Sequence, residues 1–256
     1  MRILQLNYKE KEKYDINDLI EIVQILRSPD GCPWDKVQTH ESIRREFIEE
    51  VYEVIDAIDA KDTAHLREEL GDVLFQVIFH TVIEMEQQHF DLDDVTDEVC
   101  RKMIIRHPHV FGDIDVNSTD EVLKNWDAIK MQTHSQKKPS EALDSVSRTL
   151  PSLMRAEKLH KKAARGGVSY SSSDEIYAEI DEKLARLRSI PCEDKDQTHK
   201  VTGGLLFALV GLSAFNGVDF ERSLYDACED YIERFRQNEM AAGAQGVEIQ
   251  DSGSKA

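Results

Sequence analysis

A chain of 256 residues with 32 Lys+Arg against 50 Asp+Glu carries a formal charge of -18. So large an acidic excess argues against nonspecific nucleic-acid binding and against docking on anionic membranes. A polyanionic substrate would also be repelled at long range, so its site must hold metal or local basic residues.

The four cysteines, Cys32, Cys100, Cys192 and Cys228, are scattered without a close pair, which suits reduced thiols rather than a zinc site or disulfide framework. The apolar run at residues 1–6 is too short for a signal peptide, and no apolar run is expected to reach membrane-spanning length. A cytoplasmic protein is expected. Few Gly and Pro, together with long apolar patterns of 3.6-residue period, predict an all-α fold.

Residues 1–14 read as a loosely held N-terminal arm. A helix over 15–27 follows, with Ile16, Leu19, Ile20, Val23 and Leu26 as its apolar stripe, and it stops at Ser28-Pro29-Asp30-Gly31. In the loop Gly31-Cys32-Pro33-Trp34-Asp35, Trp34 either plugs the end of a bundle or stacks on a ligand base, with Asp35 beside it to accept a hydrogen bond.

Two long helices are expected over 39–59 and 65–88, joined by a turn at Ala60-Lys61-Asp62-Thr63 in which Asp62 or Thr63 is the cap. The first carries Glu49-Glu50-Val51-Tyr52-Glu53 and the second Glu69-Leu70-Gly71-Asp72. Residues three apart share a helix face. Folding the helices antiparallel about residue 61 brings Glu53 level with Glu69 and Glu50 level with Asp72.

Glu50 continues the seam Ile43, Phe47, Val54, and Glu69 lies between Leu66 and Val73, where the period calls for apolar residues. Four ionised carboxylates crowded at a half-buried seam repel one another and lose hydration. Hard divalent cations take oxygen ligands, and Mg²⁺ joins a few carboxylates to substrate phosphates. The plainer alternative places these acids on solvated faces of an acidic helical protein. From residue 73 to 83 the second helix is apolar nearly all round apart from Gln76, His80 and Thr81, which predicts burial on every side and a subunit interface. His80 reads as a hydrogen-bonded core histidine.

A helix over 91–106 ends with Lys102 and Arg106 on one face. They form either a solvated basic edge or phosphate clamps. His107-Pro108-His109 closes that helix and reads as loop. Thr119, Val122, Trp126 and Ile129 outline one more helix. Residues 15–131 are thus a first helical module, and the polar stretch 132–147 is a linker.

Residues 148–240 repeat the first module. Glu179 and Glu182 match Glu50 and Glu53, Gly203-Gly204-Leu205-Leu206-Phe207 echoes Gly71-Asp72-Val73-Leu74-Phe75, and Cys228 falls opposite Cys100. In the copy Val201 stands in place of Glu69, Gly204 in place of Asp72 and Asp230 in place of Lys102, while Arg234 keeps the place of Arg106. The copy is expected to be degenerate. Residues 241–256 read as a disordered tail.

The loop 31–35, both acid motifs and Arg106-His107-Pro108-His109-Val110-Phe111 together resemble the MazG nucleoside triphosphate pyrophosphohydrolases, over about residues 15–240. That resemblance implies duplicated antiparallel helical-bundle modules completed by homodimerisation, with nucleoside triphosphates as substrates and Mg²⁺ (Mn²⁺ substituting) as cofactor. It implies splitting of NTP or dNTP into monophosphate and pyrophosphate. It also implies Glu50, Glu53, Glu69 and Asp72 as metal ligands, with Lys102 and Arg106 holding phosphates. Trp34 and Asp35 join them as candidate substrate-binding residues. Glu49 is the candidate water-activating base. Two other readings remain: a narrower pyrophosphohydrolase, for phosphoribosyl-ATP or a single deoxynucleotide, and a non-catalytic helical adaptor that binds divalent ions.

Overall fold

The computed structural model describes residues 10–116, 118, 119, 121, 122, 125, 126, 129 and 139–244. Regular structure among them is helical throughout, as the periodicity predicts. The chain divides into two compact units, residues 1–130 and 131–256.

In the first unit α1 (Ile16–Arg27) starts at a capping box, in which the Asp15 carboxylate accepts from the Asn17 and Asp18 amides while Asp18 accepts from the Asp15 amide. A single 3-10 turn, Asp35–Val37, follows the Cys-Pro-Trp loop. Arg27 fixes this loop: Nη1 donates to the carbonyl oxygens of Asp35 (2.8 Å) and Gln38 (3.1 Å), while Nε and Nη2 grip Glu86.

Helix α2 (Arg44–Ala60) begins later than the expected residue 39. Ser42 and Thr39 bond each other's amides and so hold residues 39–42 in a turn instead. Helix α3 (Thr63–Glu86) starts at Asp62, whose Oδ1 accepts from the amides of Ala64 (3.0 Å) and His65 (3.1 Å). Between them Lys61 takes the left-handed conformation at φ 55, and its N–H caps the carbonyls of Ala57 and Ile58.

Helix α3 is flanked by α2 on one side and α1 on the other. Val23, Ile43, Ile78, Phe79, Val82 and Ile83 form the core there, with Leu19, Ile20 and Phe75 packed against it. Each such fully buried side chain contributes about 1.5–3 kcal/mol. The all-round apolar stretch of α3 is therefore covered largely within its own chain. Ile78, Phe79, Val82 and Ile83 are buried in that core, while Leu74 of the same stretch stays exposed.

The exposed apolar surface of these helices lies on α2 and on the first half of α3. Ile48, Val51, Tyr52 and Ile55 on α2 and Leu70 and Leu74 on α3 are all more than two-fifths exposed. Helix α4 (Leu92–Arg106), opened by a capping box at Asp91, buries no residue, although Leu92 reaches the core. Pro108 then occupies the first turn of α5 (Pro108–Phe111), so the expected loop is a short helix. Proline suits that position because its missing N–H would have no helical partner there. Most of the helix expected from Thr119 onward lies outside the described residues, as do residues 1–9 of the arm and residues 245–256 of the tail.

The second unit contains α6 (Pro139–Asp144), α7 (Ser152–Arg165), α8 (Ser173–Ser189), α9 (Lys195–Phe215) and α10 (Phe220–Ala244). Helix α6 lies within the stretch expected as linker and packs on α7, where Lys162 Nζ donates to the Ala142 carbonyl (3.0 Å) and to Ser145 Oγ (2.6 Å). Helix α10 reaches Ala244 and so enters the expected tail. Helix α9 lies against α7 and α8 and buries Val201, Ala208, Val210 and Gly211. A Cβ at Gly211 would stand 2.8 Å from His160 Cε1, so only glycine permits that approach. By length and composition α9 could cross a membrane, contrary to the expectation that no segment would qualify.

Candidate functional site

The two acid motifs meet as the hairpin register requires. One carboxylate oxygen from each of Glu50, Glu69 and Asp72 lies within 4.8 Å of the others. Glu53 contacts both Glu50 and Glu69. All four predicted acids therefore converge on the facing stripes of α2 and α3. Glu69 is 6% exposed, Glu50 half-buried, and Asp72 and Glu53 open to solvent.

Burial pushes the Glu50 carboxyl up from its ordinary range, and the charges of Asp72, Glu53 and Glu69 push the same way. Glu69 is also raised, by burial first and then by its contact with Glu53, against the opposing pull of His65. His65 Nε2 stands 2.9 Å from Glu69 Oε1, an i, i+4 pair that sequence reasoning passed over although the spacing displays it. Glu69 Oε2 is buried with no hydrogen-bond partner.

A buried oxygen without a donor, beside the carboxylates of Glu50 and Asp72, fits a hard divalent ion such as Mg²⁺. The residues present suit the cofactor that the sequence implies. Glu50, Glu69 and Asp72 would hold the ion, with Glu53 adjoining.

The other predicted site residues do not join this cluster. Glu49 lies on the neighbouring face of α2, half exposed and paired with Arg45 Nε at 2.8 Å. Lys102 is exposed on α4, and the Arg106 guanidinium sits 5.3 Å above the Trp126 ring, which His107 also contacts edge-on. Trp34 is 57% exposed, so it does not plug the bundle within this unit. Asp35 is buried at the start of its 3-10 turn.

His80 is hydrogen-bonded, as expected. Its Nδ1 lies 2.7 Å from His40 Nδ1, while His40 Nε2 lies 2.6 Å from Glu84 Oε1 and His89 Nδ1 2.7 Å from Glu84 Oε2. Burial and the neighbouring His40 lower the affinity of His80 for a proton.

In the second unit the matching place is filled differently. Tyr170 donates its hydroxyl to Glu179 Oε2 at 2.8 Å, and Lys183 Nζ pairs with Glu179 Oε1 at 3.1 Å. The end of the Lys183 side chain passes 3.7 Å from the point where a Cβ on Gly204 would stand. An ammonium thus lies beside the position where the first unit carries Asp72. Val201, in place of Glu69, is buried.

Comparison with known proteins agrees with this geometry. Residues 38–111, which include both acid motifs, match the MazG nucleotide pyrophosphohydrolase domain. Over 239 residues the chain is 41% identical to the nucleoside triphosphate pyrophosphohydrolase of Escherichia coli (strain K12), covering 91% of this chain and 90% of that protein. The nucleoside triphosphate pyrophosphohydrolase/pyrophosphatase MazG of Thermotoga maritima is 38% identical over 234 residues, covering 91% of this chain and 89% of its own length. The Bacillus subtilis (strain 168) protein YabN is 39% identical over 240 residues, which are 93% of this chain and 49% of that longer protein. With similarity along nearly the whole chain and both acid motifs assembled at one seam, the chain belongs to the MazG nucleotide pyrophosphohydrolase family.

Proposed function

We propose that this chain hydrolyses nucleoside triphosphates to monophosphate and pyrophosphate at the acid cluster of its first unit. The observation that carries the proposal is the convergence of Glu50, Glu69 and Asp72 within 4.8 Å, with a buried oxygen of Glu69 left without a partner. A divalent cation held there, Mg²⁺ or Mn²⁺, would supply Lewis-acid activation and align the attacking and leaving oxygens.

The protein's own residues do the rest. Glu50, Glu69 and Asp72 hold charge at a fixed point of the seam, and Glu53 bridges two of them. His65 orients Glu69 by holding its Oε1. Glu49 lies one residue from Glu50, with Arg45 as its partner, and is the candidate base for the attacking water. Lys102 and Arg106 would bring positive charge to the phosphates. Trp34 offers an exposed ring on which a base could stack.

The active form is a homodimer. Ile48, Tyr52, Leu70 and Leu74 form level rows across α2 and α3, a continuous apolar strip that a second copy would cover. The two units correspond to a catalytic module over 15–131 and a degenerate module over 148–240, in a protein of the cytoplasm.

Pyrophosphate release from a panel of triphosphates, measured with Mg²⁺ and with chelator, tests the proposal. Release should require the ion and should extend to more than one base. Turnover confined to one deoxynucleotide or to phosphoribosyl-ATP would point to the narrower enzyme. Ion binding without any release would point to the adaptor.

A further inference from the structure

The stripes that carry the acids extend one helical turn beyond them. Glu46 precedes Glu50 by four residues, and Gln76 follows Asp72 by four, so each lies on the face of its helix that bears the cluster. The register that sets Glu50 level with Asp72 sets Glu46 level with Gln76. One more turn along, Ile43 and Phe79 are buried in the hydrophobic core and close the seam. Glu46 and Gln76 therefore occupy the layer between the cage and the core.

Neither side chain is satisfied there. Gln76 is 7% exposed, and its Oε1 is buried without a hydrogen-bond partner. Glu46 Oε2 is buried and unpartnered as well. An ionised carboxylate and an amide oxygen both only accept, so the two oxygens cannot satisfy each other. Leaving a buried acceptor unmet costs about 1–3 kcal/mol, which an apolar side chain of similar shape would avoid. Elsewhere in the seam the apolar solution is used, at Ile43 and Phe79. Two acceptors retained on level turns of α2 and α3, one turn from the cluster in which Glu69 holds a third orphan, are arranged for donors that arrive from outside the protein.

We propose that Glu46 Oε2 and Gln76 Oε1 form a pair of acceptors bordering the carboxylate cage, which receives O–H groups of the ligand held there. The donors are either waters in the hydration shell of the divalent cation or a sugar hydroxyl of the nucleotide. Mg²⁺ characteristically keeps several of its waters, and the sugar of a nucleotide carries free hydroxyls. The inference rests on reading the cage as the ion site. Within that reading, Glu46 and Gln76 are positioning residues that orient what the cage binds.

The test is calorimetric titration of the full chain with Mg²⁺, alone and with a non-hydrolysable triphosphate in ribose and 2′-deoxyribose forms. The wild type is compared with Gln76→Leu, Gln76→Met, Glu46→Gln and Asp72→Asn, and thermal melting of each protein without ligand is recorded in parallel. Gln76→Leu and Gln76→Met should leave the melting temperature unchanged or higher, because a buried orphan is removed. All three subsite variants should weaken ligand binding roughly tenfold or more, as the loss of an outer partner does. An equal loss for Mg²⁺ alone and for both sugars identifies the cation's waters as donors, whereas a loss confined to the ribose form identifies the sugar hydroxyl. Unchanged binding in the subsite variants, with Asp72→Asn impaired, overturns the subsite and leaves the cage standing. Unchanged binding in Asp72→Asn as well overturns the cage reading itself. A lowered melting temperature with intact binding assigns Glu46 and Gln76 to structure alone.

Discussion

The two units answer the same electrostatic problem in opposite ways. In the first, Glu50, Glu53, Glu69 and Asp72 crowd at a helix seam, where His65 pairs with one oxygen of Glu69 and the other is left without a donor. In the second, Glu179 holds the equivalent place, but Lys183 and Tyr170 occupy both of its oxygens. Burial by itself would raise Glu179, yet these two partners outweigh it and hold the carboxyl below its ordinary range. The Tyr170 hydroxyl is pushed up to about 12 by burial and by that same carboxylate. The difference teaches what the scaffold accommodates. On this seam a tethered ammonium occupies, beside Glu179, the kind of place that stays without a donor beside Glu69 in the first unit.

The largest difference between the units should appear in turnover. Asp72→Asn keeps the shape of the cage but removes a ligand, and pyrophosphate release should fall by at least about a hundredfold. Glu182→Gln, at the matching acid motif of the second unit, should retain near-normal release. The reverse pattern, in folded proteins of equal mass, would move the active site to the other half.

Next in size is the effect of returning the lost acids. Val201→Glu with Gly204→Asp restores the motif, but the Lys183 side chain lies 3.7 Å from the new Cβ and should pair with the new carboxylate. Manganese titration followed by electron paramagnetic resonance, with a non-hydrolysable triphosphate present, should count no additional ion in this double variant. Adding Lys183→Val, the residue found at the matching Val54, should allow a second equivalent per chain. An extra ion with Lys183 intact would show that the ammonium does not fill the site.

Assembly is affected more moderately. Tyr52→Asp places a charge in the exposed apolar strip rather than in the core, so the chain should stay folded while its mass by light scattering drops to that of a monomer. Ile78→Asp cannot serve this purpose, because Ile78 is fully buried within its own chain and the substitution should unfold the first unit.

The smallest effect is the slope of stability with pH in the absence of divalent ions. Glu50 and Glu69 are raised on folding, so the stability they withhold at neutral pH returns as the pH falls through their raised values. Glu179 is lowered, so its contribution is present above the ordinary carboxylate range and is lost on acidification. Amide hydrogen exchange should therefore show α3 gaining protection between neutral and mildly acidic pH, and α8 losing it only once the pH falls below the ordinary carboxylate range. Parallel slopes would contradict the opposed electrostatics.

Much of this architecture is legible in the sequence because helices are periodic. Paired acids at spacing three, a capped turn between them and apolar stripes on either side predict both the hairpin and the convergence of four carboxylates. What the sequence does not display is contact between distant segments. Tyr170 reaching Glu179, His40 meeting His80 and Arg27 clamping the 35–38 loop all depend on how helices and loops pack, which local periodicity leaves open. All-round apolarity in α3 signals burial but does not say which element provides the cover, and α1 covers the part around Ile78 and Val82. Proline at 108 has two meanings, helix stop and helix start, and the structure uses both within three residues.

The tight turn at Lys61-Asp62 carries a consequence for how this chain can change in length. Lys61 closes α2 in a left-handed conformation, and the Asp62 side chain opens α3 immediately, so both stripes are phased from one fixed origin. Each residue of an α-helix advances the face by about 100°. Adding a single residue within α3 between Asp62 and Glu69 would turn Glu69, Asp72 and Gln76 together away from the seam, leaving every one of them present but none in place. Adding a residue on the loop side of the caps would leave the phase untouched. The chain's tolerance of insertions near its acids is thus governed by angle rather than by size, and the turn serves as the zero mark from which that angle is read.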